Sequence, residues 1–365
     1  MNRVKIGERW VGEGEPCFII AEAGSNHNGS LEMAKRLIDV AAQAGADAVK
    51  FQTFRARALY STKAGTIDAE RIGAPIYEAL AKLEMPPAWI PELAQYCRQK
   101  GSIFLSSAFD EESVDALTPY VPAFKIASYE ITHIPLILHI ATKNLPIILS
   151  TGTAELDEVA EAVTTIRQAG VQDIILLQCT AEYPAPVDSL NLRALVTMRD
   201  VFKVSTGLSD HSRDPVLAPA AAVALGANVI EKHFTLSNLL PGPDHEFALE
   251  PHELRLMIKH IRQTELALGT GVKSRHPVEA KRTAFGRRCV FAIQDIQPGE
   301  IFTTRNVAIL RCGELNPGLH PKYLMQILGA KSVRLVTSGT PVSAEDVEVS
   351  LRSFFASGGE LGSHG

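Results

Sequence analysis

Residues 146–179, PIILSTGTAELDEVAEAVTTIRQAGVQDIILLQC, carry the decision about the fold. The stretch opens on an apolar run at 146–151 and becomes helical in pattern from Glu155 to Ala169. It stops at Gly170 and returns to an apolar run at 174–179. A strand that is apolar throughout is buried on both faces, which is the signature of a parallel sheet covered by helices. Gly170 suits the left-handed position that ends a helix.

The same unit recurs on either side. Strands are expected at 17–22, 46–52, 103–107 and 123–128, and again at 203–208 and 228–234. Leu31–Ala44 repeats the helix that ends on a glycine, here Gly45. Eight such units within about 235 residues fit a (β/α)8 TIM barrel, whose usual size is about 250 residues. A doubly wound open sheet is the rival; it normally has five or six strands, and no GxGxxG follows the first strand here. One interval breaks the rhythm, about 50 residues from Thr53 to Ser102, and loops of that length are usually functional. The excess is expected over the barrel mouth, ahead of a helix at Pro87–Gln99.

The pattern changes after residue 270. Gly269-Thr270-Gly271 and a basic stretch containing Lys273, Arg275, Lys281, Arg282, Arg287 and Arg288 read as a solvated connector. Short strands with turn signals follow at 289–296, 307–311 and 332–336. The expected organisation is a barrel domain over 1–270, a linker over 271–284, a small β-rich domain over 285–351 and a flexible tail over 352–365.

Composition sets the class. The 365 residues are 46% hydrophobic and 21% charged, a globular balance. The net charge of -5 argues against a nucleic-acid-coating protein but not against a local basic pocket. The five cysteines are odd in number and form no CxxC pair, so neither a disulfide framework nor a thiolate zinc site is expected. Met1–Glu15 lacks a signal-peptide pattern and no long uncharged apolar run occurs, so a cytoplasmic protein without membrane or nucleic-acid partners is expected.

In a TIM barrel the C-terminal strand ends build the active site. The expected ends carry Glu22; Lys50 and Gln52; Ser107; Lys125, Ser128 and Glu130; Ser150; Cys179, Thr180 and Tyr183; Ser209, Asp210 and His211; and Glu231, Lys232 and His233. A single such histidine more often hydrogen-bonds within a protein. His211 and His233 close adjacent strands, however, and together suit a divalent ion with open positions, with Glu22 and Asp210 as carboxylate support. Lys50 and Lys125 lie in apolar strands, where an unpaired ammonium is costly. They either bind an anion, helped by Ser107, Ser128, Ser150 and Ser209, or pair with Glu22, Glu130 or Glu231.

Several motifs coincide in order and spacing. They are Ile20-Ala21-Glu22-Ala23-Gly24-Ser25-Asn26-His27-Asn28-Gly29, Val49-Lys50-Phe51-Gln52-Thr53 and Phe124-Lys125-Ile126-Ala127-Ser128-Tyr129-Glu130. Further on come Gly207-Leu208-Ser209-Asp210-His211, Glu231-Lys232-His233-Phe234 and Pro241-Gly242-Pro243-Asp244. On these, residues from about Cys17 to Leu351 resemble the sialic acid synthase (N-acetylneuraminate synthase) family, which includes legionaminic and pseudaminic acid synthases. With Asp295-Ile296-Gln297-Pro298-Gly299-Glu300 and Gly318-Leu319-His320-Pro321, the C-terminal portion resembles that family's antifreeze-like (SAF) domain.

The resemblance implies condensation of phosphoenolpyruvate with an open-chain N-acetylmannosamine-type sugar, giving a nine-carbon sialic acid and phosphate. It implies Mn2+ or Mg2+ on His211 and His233, and phosphoenolpyruvate on Lys50, Ser107, Lys125, Ser128, Ser150 and Ser209. Gln52, Glu130, Tyr183 and Asp244 match sugar-contacting positions, and Glu22 a carboxylate beside the reacting centre. Glu22, Glu130 and Asp210 are the expected catalytic groups. A domain-swapped homodimer is implied, in which Phe285 and Arg311 reach the other subunit's barrel.

Ala181 departs from the pattern, because sialic acid synthases usually carry Asn there. The acceptor could therefore be a legionaminic or pseudaminic precursor, a 2,4-diacetamido-trideoxyhexose. Two readings of other classes stand beside these: a Schiff-base lyase using Lys125 or Lys232, and a carbohydrate-binding SAF protein without catalysis.

Overall fold

The chain begins with an antiparallel hairpin that the apolar patterning did not single out, β1 (Val4–Ile6) and β2 (Arg9–Val11). Eight parallel strands follow: β3 (Phe18–Gly24), β4 (Ala48–Thr53), β5 (Ile103–Ala108), β6 (Phe124–Ile126), β7 (Ile147–Ser150), β8 (Ile174–Cys179), β9 (Ser205–Asp210) and β10 (Val229–His233). They pair in chain order, and β10 closes on β3 to complete the barrel. This computed structural model describes residues 3–66 and 75–348.

Side chains alternate across each strand, and the alternation sorts the core into two. The outward set includes Ile19, Val49, Phe104, Phe124, Leu149, Leu176 and Ile230, which pack against the surrounding helices. The inward set includes Phe18, Ile20, Ala48, Leu105, Ile148, Ile175, Leu177 and Val229. Val4, Ile6 and Val11 of the hairpin join this inward cluster, so the hairpin plugs the N-terminal end of the barrel. The inside is thus apolar at the base, and its polar residues lie one layer higher.

The helices end where the glycines predicted. Leu31–Ala44 is capped at its start by Ser30, whose side chain accepts from Met33 N, and at its end by Gly45 with φ 89°. Leu156–Gln168 opens with a capping box between Glu155 and Glu158. The long interval after β4 is not one structureless loop. It holds short helices at Ala56–Leu59 and Ile76–Ala81 before the helix Trp89–Gln99, while residues 67–74 lie outside the described residues.

Two compact units divide the chain, Met1–Thr270 and Gly271–Gly365. The stretch expected as a connector contains a helix, Ala280–Gly286. The second unit contains the antiparallel pair β11 (Arg288–Ala292) and β12 (Val307–Arg311) around its own core of Val290, Ile296, Phe302, Ile327 and Val342. The strand expected at 332–336 does not form. Ser332 and Val336 make only isolated bridges, each to a different segment, Val347 and Ile296. The expected end of this domain at 349–351 and the tail at 352–365 lie outside the described residues.

Candidate active site at the barrel mouth

The upper inward layer holds the polar groups, and strand register explains why they meet. Glu22 pairs across the ladder with Lys50, Ser107 with Lys125, Glu231 with Ser209, and His233 with Glu22. Glu22, Lys50, Ser107, Lys125, Glu231 and His233 each stand an even number of residues above an apolar member of the base layer, and Ser209 stands two above the inward Gly207, so all face inward.

Two buried lysines flank one carboxylate. Lys50 Nζ lies 2.8 Å from Glu22 Oε2 and donates to Ser107 Oγ at 3.0 Å. Lys125 Nζ donates to Ser150 Oγ at 2.8 Å. Glu231 Oε1 stands 3.8 Å from Lys50 Nζ and 3.6 Å from Lys125 Nζ, and accepts from Ser209 Oγ at 3.0 Å. Burial would raise Glu231, but Lys125 and Lys50 hold its carboxyl below the ordinary value. Burial depresses Lys125, and the pull of Glu231 does not restore it. Of the two sequence readings of the lysines, this geometry shows the pairing with Glu22 and Glu231, and hydroxyls of Ser107 and Ser150 stand in the same layer. Ser128 Oγ accepts from Gly152 N at 3.0 Å, and a Cβ on residue 152 would come within 2.8 Å of that oxygen.

Three carboxyls at the mouth are pushed up toward neutrality. Burial pushes Glu22 up to about 7, against the pull of Lys50 and with further push from Glu231. Gln52 Nε2 donates to Glu22 Oε1 at 3.0 Å. Burial also pushes Glu130 up to about 7 against Lys125, and Asp244 up to about 6 against His211 and Lys50. Carboxyls in this range can give or take a proton at physiological pH.

The two histidines stand with ring centroids 5.5 Å apart. His211 Nδ1 lies 2.8 Å from the Thr180 carbonyl, which can only accept. When the ring is neutral that contact places the proton on Nδ1 and leaves Nε2 as a lone-pair donor, the usual arrangement of a metal-ligating imidazole. Burial would lower the pKa of His211, but its contacts with Cys179 and Thr180 raise it above the ordinary value, and a bound cation would have to displace the second proton. His233 Nδ1 is buried without a hydrogen-bond partner, 3.7 Å from Asp244 Oδ2. Burial, together with His211, depresses His233 well below its usual value, so its ring is neutral and able to bind a cation. These donors fit a borderline divalent ion. Among the described residues no group of three acidic, histidine or cysteine side chains could hold an ion by itself, so water and substrate would complete its shell. Tyr183 packs over both rings, with centroids 4.1 Å from His211 and 6.1 Å from His233.

Asp210 is a correction. As the even-numbered neighbour of Ser209 it faces the helices, where its Oδ2 pairs with Lys232 Nζ at 2.5 Å and its Oδ1 accepts from Ser212 N at 2.8 Å. It anchors the turn after β9 instead of joining the reacting groups, and the same alternation takes Lys232 out of the mouth. Phe285 and Arg311 belong to the second unit. There both are exposed, and Gly313 N donates to the Phe285 carbonyl at 3.1 Å. Glu231 and Cys179, read from the sequence as strand-end residues but given no role in catalysis, substrate binding or metal binding, also face inward. Cys179 Sγ lies 3.7 Å from His211 Nδ1.

The fold and this mouth place the chain among the (β/α)8 proteins that gather ionisable groups at the C-terminal ends of their strands. Residues 37–273 match the NeuB family model and residues 287–348 match the SAF domain model. The chain is 43% identical to the spore coat polysaccharide biosynthesis protein SpsE of Bacillus subtilis, over 95% of this chain and 98% of that one. It is 45% identical to the N,N'-diacetyllegionaminic acid synthase of Campylobacter jejuni, over 80% of this chain and 90% of that one. The crystal structure of an N-acetylneuraminic acid (sialic acid) synthetase from Leptospira borgpetersenii superimposes with a TM-score of 0.70 at 33% identity, covering 77% of this chain and 95% of that one. The chain belongs to the NeuB family, with a SAF domain, among relatives named as sialic, legionaminic and pseudaminic acid synthases.

Proposed function

We propose that the chain condenses phosphoenolpyruvate with an open-chain N-acetylmannosamine-type sugar, forming a nine-carbon 2-keto-3-deoxy acid and releasing phosphate. The observation that carries this reading is the pair of buried ammonium groups, Lys50 and Lys125, with Ser107, Ser150 and Ser209 in one layer. Such a layer holds a small, highly charged anion. His211 and His233 would hold a divalent cation, whose charge, when bound, polarises the sugar carbonyl oxygen. The lysines and hydroxyls fix the phosphate so that C3 faces the aldehyde carbon. C3 bonds to that carbon and the aldehyde oxygen takes a proton. Water then adds to C2, passing a proton to a neighbouring carboxylate; the bond from C2 to the phosphate-bearing oxygen breaks, and the new hydroxyl becomes the keto oxygen as its proton leaves with the phosphate. Glu22 and Glu130, each pushed up to about 7 by burial, would handle the proton transfers. Phe285 and Arg311 would approach the sugar from the other subunit of a homodimer.

A second acceptor deserves equal trial because of Ala181. It presents a methyl group where an asparagine amide would bond a sugar oxygen, so a deoxygenated acceptor such as a 2,4-diacetamido-trideoxyhexose fits beside it. The test is phosphate release from phosphoenolpyruvate with manganese against N-acetylmannosamine, mannose and 2,4-diacetamido-trideoxyhexoses. One of the amino sugars should support turnover, EDTA should abolish it, and His211→Ala should be folded but inactive. No phosphate from any sugar would overturn the reading, as would full activity in EDTA.

A further inference from the structure

Two loops meet at the rim beside the histidines. One follows β3 and carries Ser25–Gly29; the other follows β10 and carries residues 234–250, including Asp244. Asn28 spans them: its Nδ2 donates to the Pro241 carbonyl at 2.9 Å, and its Oδ1 faces His245 Nε2 at 3.2 Å. His245 Nδ1 continues to Thr235 Oγ1 at 2.6 Å. Asn238 closes the loop from its other side, donating to the carbonyls of His245 at 2.6 Å and Ala248 at 2.8 Å.

The polarity of this chain is determined at one end. The Pro241 carbonyl can only accept, so it takes the Asn28 amide nitrogen and turns the amide oxygen toward His245. That oxygen can only accept, so His245 carries its proton on Nε2. The neutral ring, which burial favours by depressing its pKa, then accepts at Nδ1 from the Thr235 hydroxyl. The orientation is single from the Pro241 carbonyl to His245 Nε2; the Thr235 hydroxyl has a second acceptor in the Ser237 carbonyl at 3.1 Å, with the His245 contact the shorter of the two. Asn28 itself sits at φ 48°, in the left-handed region.

Asp244 lies between the tethered Pro241 and the tethered His245. Its Oδ2 is 3.7 Å from His233 Nδ1, and it would lie 3.3 Å from a Cβ placed on Gly24. None of the clasp residues reaches the lysine layer.

We propose that Asn28 and His245, relayed through Thr235, form a clasp between the two rim loops that positions Asp244 for the sugar. They are positioning residues, and the effect on the sugar rests on the reading of Asp244 as a sugar contact. Asn28→Gly is the informative variant, since glycine keeps the left-handed backbone and removes only the amide. Thr235→Val breaks the far link if the first variant does not fold.

The first measurement is hydrogen exchange over residues 236–247, which needs no substrate. Loss of the clasp should speed it about tenfold while the barrel strands are unchanged. The second is steady-state phosphate release. The KM for the sugar should rise about tenfold, the KM for phosphoenolpyruvate should stay within about twofold, and the effect should vanish in an Asp244→Ala background, as expected for coupled residues. Unchanged exchange overturns the clasp, and so does a rise in both KM values or an undiminished effect without Asp244. Absence of phosphate release in the parent protein overturns the proposed reaction instead, and leaves the exchange result to decide the clasp.

Discussion

Glu130 illustrates how a single residue's environment becomes a measurable property. It is buried with Oε2 unpartnered, and burial lifts it from 4.5 to about 7. Because the folded value exceeds the unfolded one, the fold keeps that advantage at low pH and loses it as pH rises through about 7. Glu130→Gln should therefore raise the melting temperature relative to the parent more at pH 8 than at pH 5, by roughly 2 °C or more, read by calorimetry at both pH values. A pH-independent difference would count against the buried carboxyl. Lys125→Met should leave a folded barrel but cut phosphate release at least about 100-fold, since it removes one charge-assisted anion contact and leaves Glu231 with one ammonium fewer. Ala181→Asn should shift preference toward N-acetylmannosamine by about tenfold in kcat/KM, the scale of one polar contact to a substrate hydroxyl. An unchanged ratio across the sugar panel would remove this residue from the specificity argument.

At the scale of the element, β9 is the informative strand. Its sequence, Ser205-Thr206-Gly207-Leu208-Ser209-Asp210, is the least apolar of the eight, yet all of it is buried. Gly207 faces inward, where a Cβ would lie 2.3 Å from the Val229 carbonyl oxygen and 2.7 Å from Leu177 Cδ2. The barrel interior admits no side chain at this point. Gly207→Ala should destabilise the barrel by about 3 kcal/mol, the upper range for overpacking, and shift the denaturant midpoint accordingly. A midpoint like the parent's would show that the ladder can open there without cost.

For the molecule as a whole, the division of labour runs along the barrel axis. The base is apolar and plugged by the hairpin, and the polar layer sits above it. Ile6 is fully buried in the base cluster. Ile6→Ala should cost about 2–5 kcal/mol while leaving the KM for phosphoenolpyruvate unchanged, because the cavity lies below the site. Thermal melting and steady-state kinetics on the same preparation would separate the two effects. No helix among the described residues is long and apolar enough to cross a membrane.

Much of this was legible in the residues themselves. Apolar runs ending on polar groups located all eight barrel strands to within a few positions, since burial on both faces leaves few alternatives for such sequences. The same strand ends named Lys50, Lys125, His211 and His233, because ionisable side chains in apolar strands must be compensated. What one chain of letters could not decide was which side of a strand each group occupies. Asp210 and Ser209 are adjacent in sequence but face opposite ways, so Asp210 pairs with Lys232 behind the sheet and Glu231 takes a place between the two lysines. The hairpin was likewise hidden, because three-residue strands have too short a pattern to be read before their partners are known. Sequence determined which groups are present at each strand end; the pleat and closure of the barrel decided which of them meet.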